Sequence, residues 1–133
     1  MIAKVTYLGS LRTEAVHSQS GNTIITDAPI DNEGKGEAFS PTDLVATALA
    51  SCILTIMGII AKRDGISIEG TDAEVVKSMS TNPRRINEIK IKILFNSNFD
   101  SQIKSKLENA ALLCPVSGSL NKEINETIEF IYP

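Results

Sequence analysis

Two cysteines, Cys52 and Cys114, are the side chains best suited to covalent chemistry, and 61 residues separate them. This spacing does not fit a metal-binding cysteine pair, and the single histidine leaves too few ligands for a zinc site. A cysteine attacks as its thiolate, so a reactive one needs a lowered pKa and access to substrate. A cysteine in an apolar helix is also commonly an inert core residue. The residues alone therefore leave two interpretations of Cys52 open, an unreactive core side chain and a redox thiol.

Cys52 lies near the middle of an apolar segment, 40–62, that the sequence predicts as a helix. Ser40 and Asp43 have the spacing of reciprocal capping partners, and Pro41 takes the first helical position, where its missing N–H costs nothing. Apolar residues lie on all sides of this helix rather than along one stripe. That distribution is typical of a buried helix, so whatever encloses the helix also encloses the thiol.

The same helix is long enough to cross a membrane, since its residues span roughly 33 Å at 1.5 Å each. Three hydroxyl side chains dilute the apolar run, and no aromatic belt flanks it: Thr47, Ser51 and Thr55. The remaining chain has the charged strands of a soluble protein. We therefore expect a packed central helix and no membrane partner.

Composition narrows the function classes further. A length of 133 residues predicts a single domain, 1–133, and 42% hydrophobic residues can supply its core. The net charge of -3 gives no basic surface for nucleic acid. Residues 1–8 lack a long apolar region, so we expect a cytoplasmic protein in which a disulfide would be transient. Gly34 and Gly36 fit no nucleotide-binding pattern, and no cofactor is expected.

Short runs of β-branched residues, broken by turn residues, predict strands around the helix. The predicted elements are strands over 1–8, 11–18, 23–26, 66–78, 85–95 and 126–132, a helix from 100 or 101 to 113, and a helical turn over 116–120. In 85–95, isoleucines alternate with Lys90 and Lys92, so we expect one face to cover the central helix and the lysines to be solvated. The pattern predicts an α+β fold that begins with a β-meander.

Beyond single residues, the chain resembles the OsmC/Ohr family, the osmotically inducible and organic-hydroperoxide-resistance proteins. The resemblance rests on Phe39-Ser40-Pro41-Thr42-Asp43-Leu44 through Ala48-Leu49-Ala50-Ser51-Cys52, and on Cys114-Pro115-Val116-Ser117. Tyr7-Leu8-Gly9, Ser20-Gly21 and Thr26-Asp27-Ala28-Pro29 extend it over nearly the whole chain.

The resemblance implies an OsmC-like fold, in which a long central helix is wrapped by antiparallel sheets in an intertwined homodimer. It also implies a thiol-dependent peroxidase that acts on organic hydroperoxides. In that role Cys52 would attack the peroxide and become a sulfenic acid, Cys114 would form a disulfide with it, and an external dithiol would restore both thiols.

The likeness is incomplete around the thiolate. Family peroxidases commonly have a glutamate directly after the proline, where this chain has Thr42. Asp43 is one position away and is better explained as a capping carboxylate. Arg12 is the candidate cation for Cys52, although an arginine in a strand is most simply a solvated residue. Lys35, in the loop before the helix, is the alternative candidate. These departures keep an alternative open, a non-catalytic OsmC-like dimer that binds a small apolar or thiol ligand.

Overall fold

The first strands of the chain form an antiparallel meander. In the computed structural model, which describes all 133 residues, β1 (Ala3–Gly9), β2 (Arg12–His17) and β3 (Thr23–Asp27) form a three-stranded sheet in that order. A short 3-10 helix, Ile30–Asn32, lies in the loop that follows. The predicted meander is therefore confirmed, with strand ends displaced by one or two residues.

The central helix, α1, spans Pro41–Arg63 and has the predicted caps. The Asp43 amide donates to Ser40 Oγ at 3.0 Å, and the Ser40 amide donates to Asp43 Oδ2 at 2.9 Å. This reciprocal arrangement satisfies two amides at the start of the helix. At the other end, Gly65 has a φ of +68°, the left-handed conformation that ends a helix without strain in a glycine.

Within this chain, α1 is buried along one side. The buried positions recur at helical spacing and are Ala46, Leu49, Ala50, Ile53, Met57 and Ala61. Val45 and Ile59 are 36% and 42% exposed, so the chain alone does not cover the helix on every side. By length and composition α1 could cross a membrane, but the core helix of a soluble protein passes the same test.

A second sheet contains β4 (Asp72–Ser80), β5 (Arg85–Leu94) and β6 (Asn125–Ile131), with β5 in the centre. The alternation predicted for β5 is confirmed, since Ile89, Ile91 and Ile93 are buried in the same core as α1. β4 starts at residue 72 rather than 66, because a turn from Ile68 to Thr71 comes first.

The pairing of β6 corrects one detail of the expected fold, in which the sheets were antiparallel throughout. β6 runs parallel to β5, whereas β4 is antiparallel to it. A parallel pair requires a long crossover connection, and this one contains two helices. They are α2 (Ser101–Ala111), capped by the Asp100 side chain, and α3 (Pro115–Ser119).

Aromatic packing fastens the end of β6 to the start of this crossover. Tyr132 stacks on Phe95 with ring centroids 4.5 Å apart, and Phe99 packs edge-on against both rings. The Lys104 ammonium lies 4.4 Å from the centroid of the Tyr132 ring. Such cation and ring contacts stabilise the join between strand and helix.

The contacts divide the chain into two compact units, Met1–Val45 and Ala46–Pro133. The first unit holds the meander and the loop before α1. The second holds most of α1, the second sheet, α2 and α3. The single domain over 1–133 stays a prediction.

Candidate thiol site

Folding of the second unit brings the two cysteines together. Cys52 lies on α1 and is half-buried, and Cys114 lies immediately before α3 and is 3% exposed. Both are free thiols. They are close enough for a hydrogen bond with the Cys52 thiol to raise the pKa of Cys114. Two residues that are remote in the sequence therefore share one site.

The environment of Cys114 favours its protonated form. Burial contributes most to the raised pKa of this thiol, because a thiolate is poorly solvated in the core, and the hydrogen bond with Cys52 adds to it. The main-chain N–H groups of Ser117 and Val116 face the sulfur and act in the opposite direction. They do not complete a side-chain cap hydrogen bond. This environment therefore keeps the Cys114 thiol protonated at neutral pH.

The local sequence explains how Cys114 reaches the core. α2 ends at Ala111, and Cys114 has the extended φ and ψ of -64° and 119° that a residue before proline prefers. Pro115 then occupies the first position of α3, where its missing N–H is not needed. The Cys114 carbonyl accepts a hydrogen bond of 3.1 Å from the Gly118 amide. This short turn sets the direction in which the cysteine points.

A cleft of about 420 Å³ lies beside this turn, in the second unit. Its walls are Ile53, Ala111, Leu112, Ser117, Ile124, Glu126, Ile128 and Phe130. Ser117 Oγ donates to Glu126 Oε1 at 2.7 Å within this lining. Glu126 was not identified from the sequence as a residue of this cleft, although its position in the strand pattern was an indication. The carboxylate takes a half-buried position on the same side of β6 as Ile128 and Phe130.

The candidate cation Arg12 belongs to the first unit, where it is paired. Its Nε and Nη2 donate to the two carboxylate oxygens of Asp27 at 2.7 and 2.8 Å, and Nη2 also contacts Glu37 at 3.2 Å. Arg12 and Asp27 are register partners on β2 and β3. The strand pairing therefore explains this two-point contact, which suits a guanidinium and a carboxylate.

The carboxylate of Asp27 is the centre of this charged cluster. Its side chain is only 1% exposed. The hydrogen bonds from Arg12 hold the pKa of the Asp27 carboxyl below its usual value against the effect of burial, and the Lys35 charge also lowers it. Both candidate cations thus act on one carboxylate. Asp27 was part of the motif noted in the sequence but had no predicted role.

The remaining predicted residues are placed as follows. Asp43 caps α1, and the Thr42 hydroxyl lies 3.2 Å from the hydroxyl of Ser40. No group of three or more histidine, cysteine or acidic side chains could hold a metal ion. The thiols belong to the second unit and Arg12 to the first, so a role for Arg12 toward Cys52 stays a prediction.

Comparison with known proteins gives a consistent result. Residues 34–129 match the family model described as OsmC-like protein. The chain is 53% identical to a solved protein from Psychrobacter arcticus 273-4, described as an osmotic stress induced and detoxification response protein. That match has a TM-score of 0.96 and covers 98% of this chain and 96% of the other. Among curated proteins, none matches.

Two more distant structures share the fold. An organic hydroperoxide resistance protein OsmC from Legionella pneumophila is 17% identical, with a TM-score of 0.76 and coverage of 97% of this chain and 94% of the other. The organic hydroperoxide resistance protein OhrB of Bacillus subtilis is 19% identical, with a TM-score of 0.66 and 98% of each chain covered. At these identities the likeness concerns the fold alone.

Proposed function

Because the chain belongs to the OsmC-like family, we propose that it is a cysteine-based peroxidase that reduces organic hydroperoxides. The observation that carries the proposal is the pair of interacting free thiols in the second unit. One thiol is half-buried and the other is almost fully buried. In this arrangement the more exposed thiol can react with the substrate, and the buried thiol can then form a disulfide with it.

The reaction needs no group beyond the peroxide and a reductant. The Cys52 thiolate attacks the outer oxygen of the hydroperoxide, the O–O bond breaks, and the alcohol leaves with a proton. Cys52 is then a sulfenic acid. The Cys114 sulfur attacks the Cys52 sulfur, an S–S bond forms, and the sulfenic oxygen leaves as water. An external dithiol reduces the disulfide and is itself oxidised to a disulfide.

A cation near the leaving oxygen would assist cleavage of the O–O bond, and a dry pocket would favour apolar peroxides. We assign this role to Arg12, with Lys35 as the alternative. Arg12→Gln and Lys35→Gln separate the two candidates. Loss of peroxide reduction in only one of these variants identifies the cation, because each removes a different donor.

The thiol roles are tested with single cysteine variants and cumene hydroperoxide. We expect Cys52→Ser to abolish peroxide consumption. Cys114→Ser should still form a sulfenic acid on Cys52, which dimedone traps, but no intramolecular disulfide. Mass spectrometry of the wild-type protein after one equivalent of peroxide should find the Cys52–Cys114 linkage. Peroxide consumption that survives in Cys52→Ser overturns the proposal.

A second candidate is a protein that binds a small apolar or thiol ligand without turnover. Two observations favour it. Arg12 is already engaged by Asp27 and Glu37, and Thr42 takes the position of the family glutamate. Under this alternative, binding of the apolar probe anilinonaphthalene sulfonate would be equal in the wild type and Cys52→Ser, and neither protein would consume peroxide.

We also propose that the protein is a cytoplasmic homodimer. In the first unit, β1 is exposed on both faces, with Val5 and Tyr7 63% and 64% exposed. A small sheet with apolar side chains on an open face needs a cover. Light scattering should give about twice the chain mass of 14.3 kDa. A monomer at micromolar concentration would contradict this assignment.

A further inference from the structure

Glu126 is an unusual residue for its position on β6. Residues 126, 128 and 130 alternate with exposed ones, and Ile128 and Phe130 pack against the hydrophobic core. A carboxylate in such a row is costly unless a donor satisfies it. The Ser117 hydroxyl is that donor, at 2.7 Å from Glu126 Oε1. The hydrogen bond therefore ties α3 to the strand at the edge of the sheet.

Ser117 makes a second contribution through its main chain. Its N–H group faces the Cys114 sulfur together with the N–H group of Val116, and both favour the thiolate. α3 has only five residues, too few for a stable helix without tertiary contacts. The position of these N–H groups therefore depends on what fastens α3, and the Ser117 side chain is its polar connection to β6.

We propose that Glu126 is a positioning residue, which by binding the Ser117 hydroxyl anchors α3 and thereby holds the Cys114 sulfur toward Cys52. Glu126 acts through Ser117 and takes no part in the covalent steps. Its consequence for turnover rests on the proposed peroxidase function. The step that it serves is the attack of Cys114 on the Cys52 sulfenic acid, in which the S–S bond forms and water leaves.

The first test does not require peroxidase activity. In a Cys52→Ser background, the rate of Cys114 alkylation by iodoacetamide is measured against pH. We expect Ser117→Ala and Glu126→Leu to raise the pH at the midpoint of this profile. The N–H groups that favour the Cys114 thiolate lose their fixed position in both variants. Glu126→Gln keeps an acceptor for Ser117 and should retain the profile. Glu129→Leu is the matched control, because Glu129 lies on the exposed side of the same strand.

The second test measures disulfide formation with both cysteines present. After one equivalent of cumene hydroperoxide, quenched samples give the rates of sulfenic acid and disulfide formation separately. We expect disulfide formation to slow about tenfold in Glu126→Leu and Ser117→Ala, the size of effect that loss of one charge-assisted hydrogen bond gives. Sulfenic acid formation should keep its rate, and Glu126→Gln should restore most of the second rate.

The outcomes separate this inference from the proposed function. If no sulfenic acid forms in any variant, the peroxidase proposal fails, and the alkylation profile still decides the role of Glu126. If Glu126→Leu has the wild-type profile and the wild-type rate of disulfide formation, Glu126 does not position Cys114. The same conclusion follows if Glu126→Gln and Glu126→Leu are equally impaired in both tests, because an acceptor for Ser117 then makes no difference.

Discussion

Oxidation of the thiol pair should stabilise the folded protein strongly. A Cys52–Cys114 disulfide would close a loop containing 61 residues and so restrict the unfolded chain. The chain-entropy relation for a loop of this length gives about 4 kcal/mol at 25 °C. The two thiols are near enough in the folded state for Cys52 to raise the pKa of Cys114, so we expect the bond to form with little rearrangement. We therefore expect most of this stabilisation to be measurable.

The assay compares urea unfolding of reduced protein with protein oxidised by diamide, which forms the disulfide without peroxide chemistry. Oxidation should raise the free energy of unfolding by about 3–4 kcal/mol. It should also lower the dependence of that free energy on urea concentration, because the cross-linked unfolded chain is more compact. Cys114→Ser, treated identically, is the control and should show neither change.

One result would refute the reasoning. If mass spectrometry shows complete Cys52–Cys114 linkage while the free energy of unfolding stays the same or falls, the linkage must distort the fold. The two thiols would then not share a site in the native protein. Failure of diamide to produce the linkage at all would lead to the same conclusion.

Three further predictions concern groups outside the thiol pair. The Asp27 carboxyl has a pKa lowered from 3.8 by Arg12, so its stabilising effect is present above that pH and is lost on acidification. Urea unfolding between pH 7 and 3 should show a steeper loss in the wild type than in Asp27→Asn. The pKa of Tyr132 is raised to about 12 by burial and by Glu108. An absorbance transition near that pH should therefore vanish in Tyr132→Phe. The free energy of unfolding of the wild type should decline between pH 10 and 12. Ser40→Ala removes the cap of α1 and should cost about 1 kcal/mol in urea unfolding.

Local rules predicted much of the fold. The start of α1 follows from Ser40 and Asp43, whose effects act within one helical turn. The buried face of β5 follows from alternation, which depends only on neighbouring residues. These features could be predicted because the interactions that decide them are close in sequence.

Long-range features were harder to predict. Nothing in the sequence of β6 distinguishes a parallel from an antiparallel partner, since the choice depends on the path of the crossover. Likewise, the pairing of Arg12 with Asp27 depends on strand register. Glu126 looked like an ordinary strand residue, because its partner Ser117 comes from a different element.

The thiol site was predicted by family resemblance rather than by residue chemistry. From the residues alone, Cys52 was more simply interpreted as an inert core side chain than as a reactive one. The contact between Cys52 and Cys114 agrees with the resemblance, while the charged partners of Arg12 were not foreseen. The motifs therefore predicted that the two cysteines lie near each other, but not the charged groups that surround Arg12.

The parallel pairing of β5 and β6 has a consequence for the position of Cys114. The chain must run back along the whole sheet before β6 can begin. Cys114 lies in this crossover connection. Shortening the return segment would pull the second sulfur away while leaving each strand intact. Lengthening this segment would let the Cys114 sulfur take more positions relative to Cys52. The length of the crossover segment can therefore change the distance between the two sulfurs while the residues of the hydrophobic core stay the same.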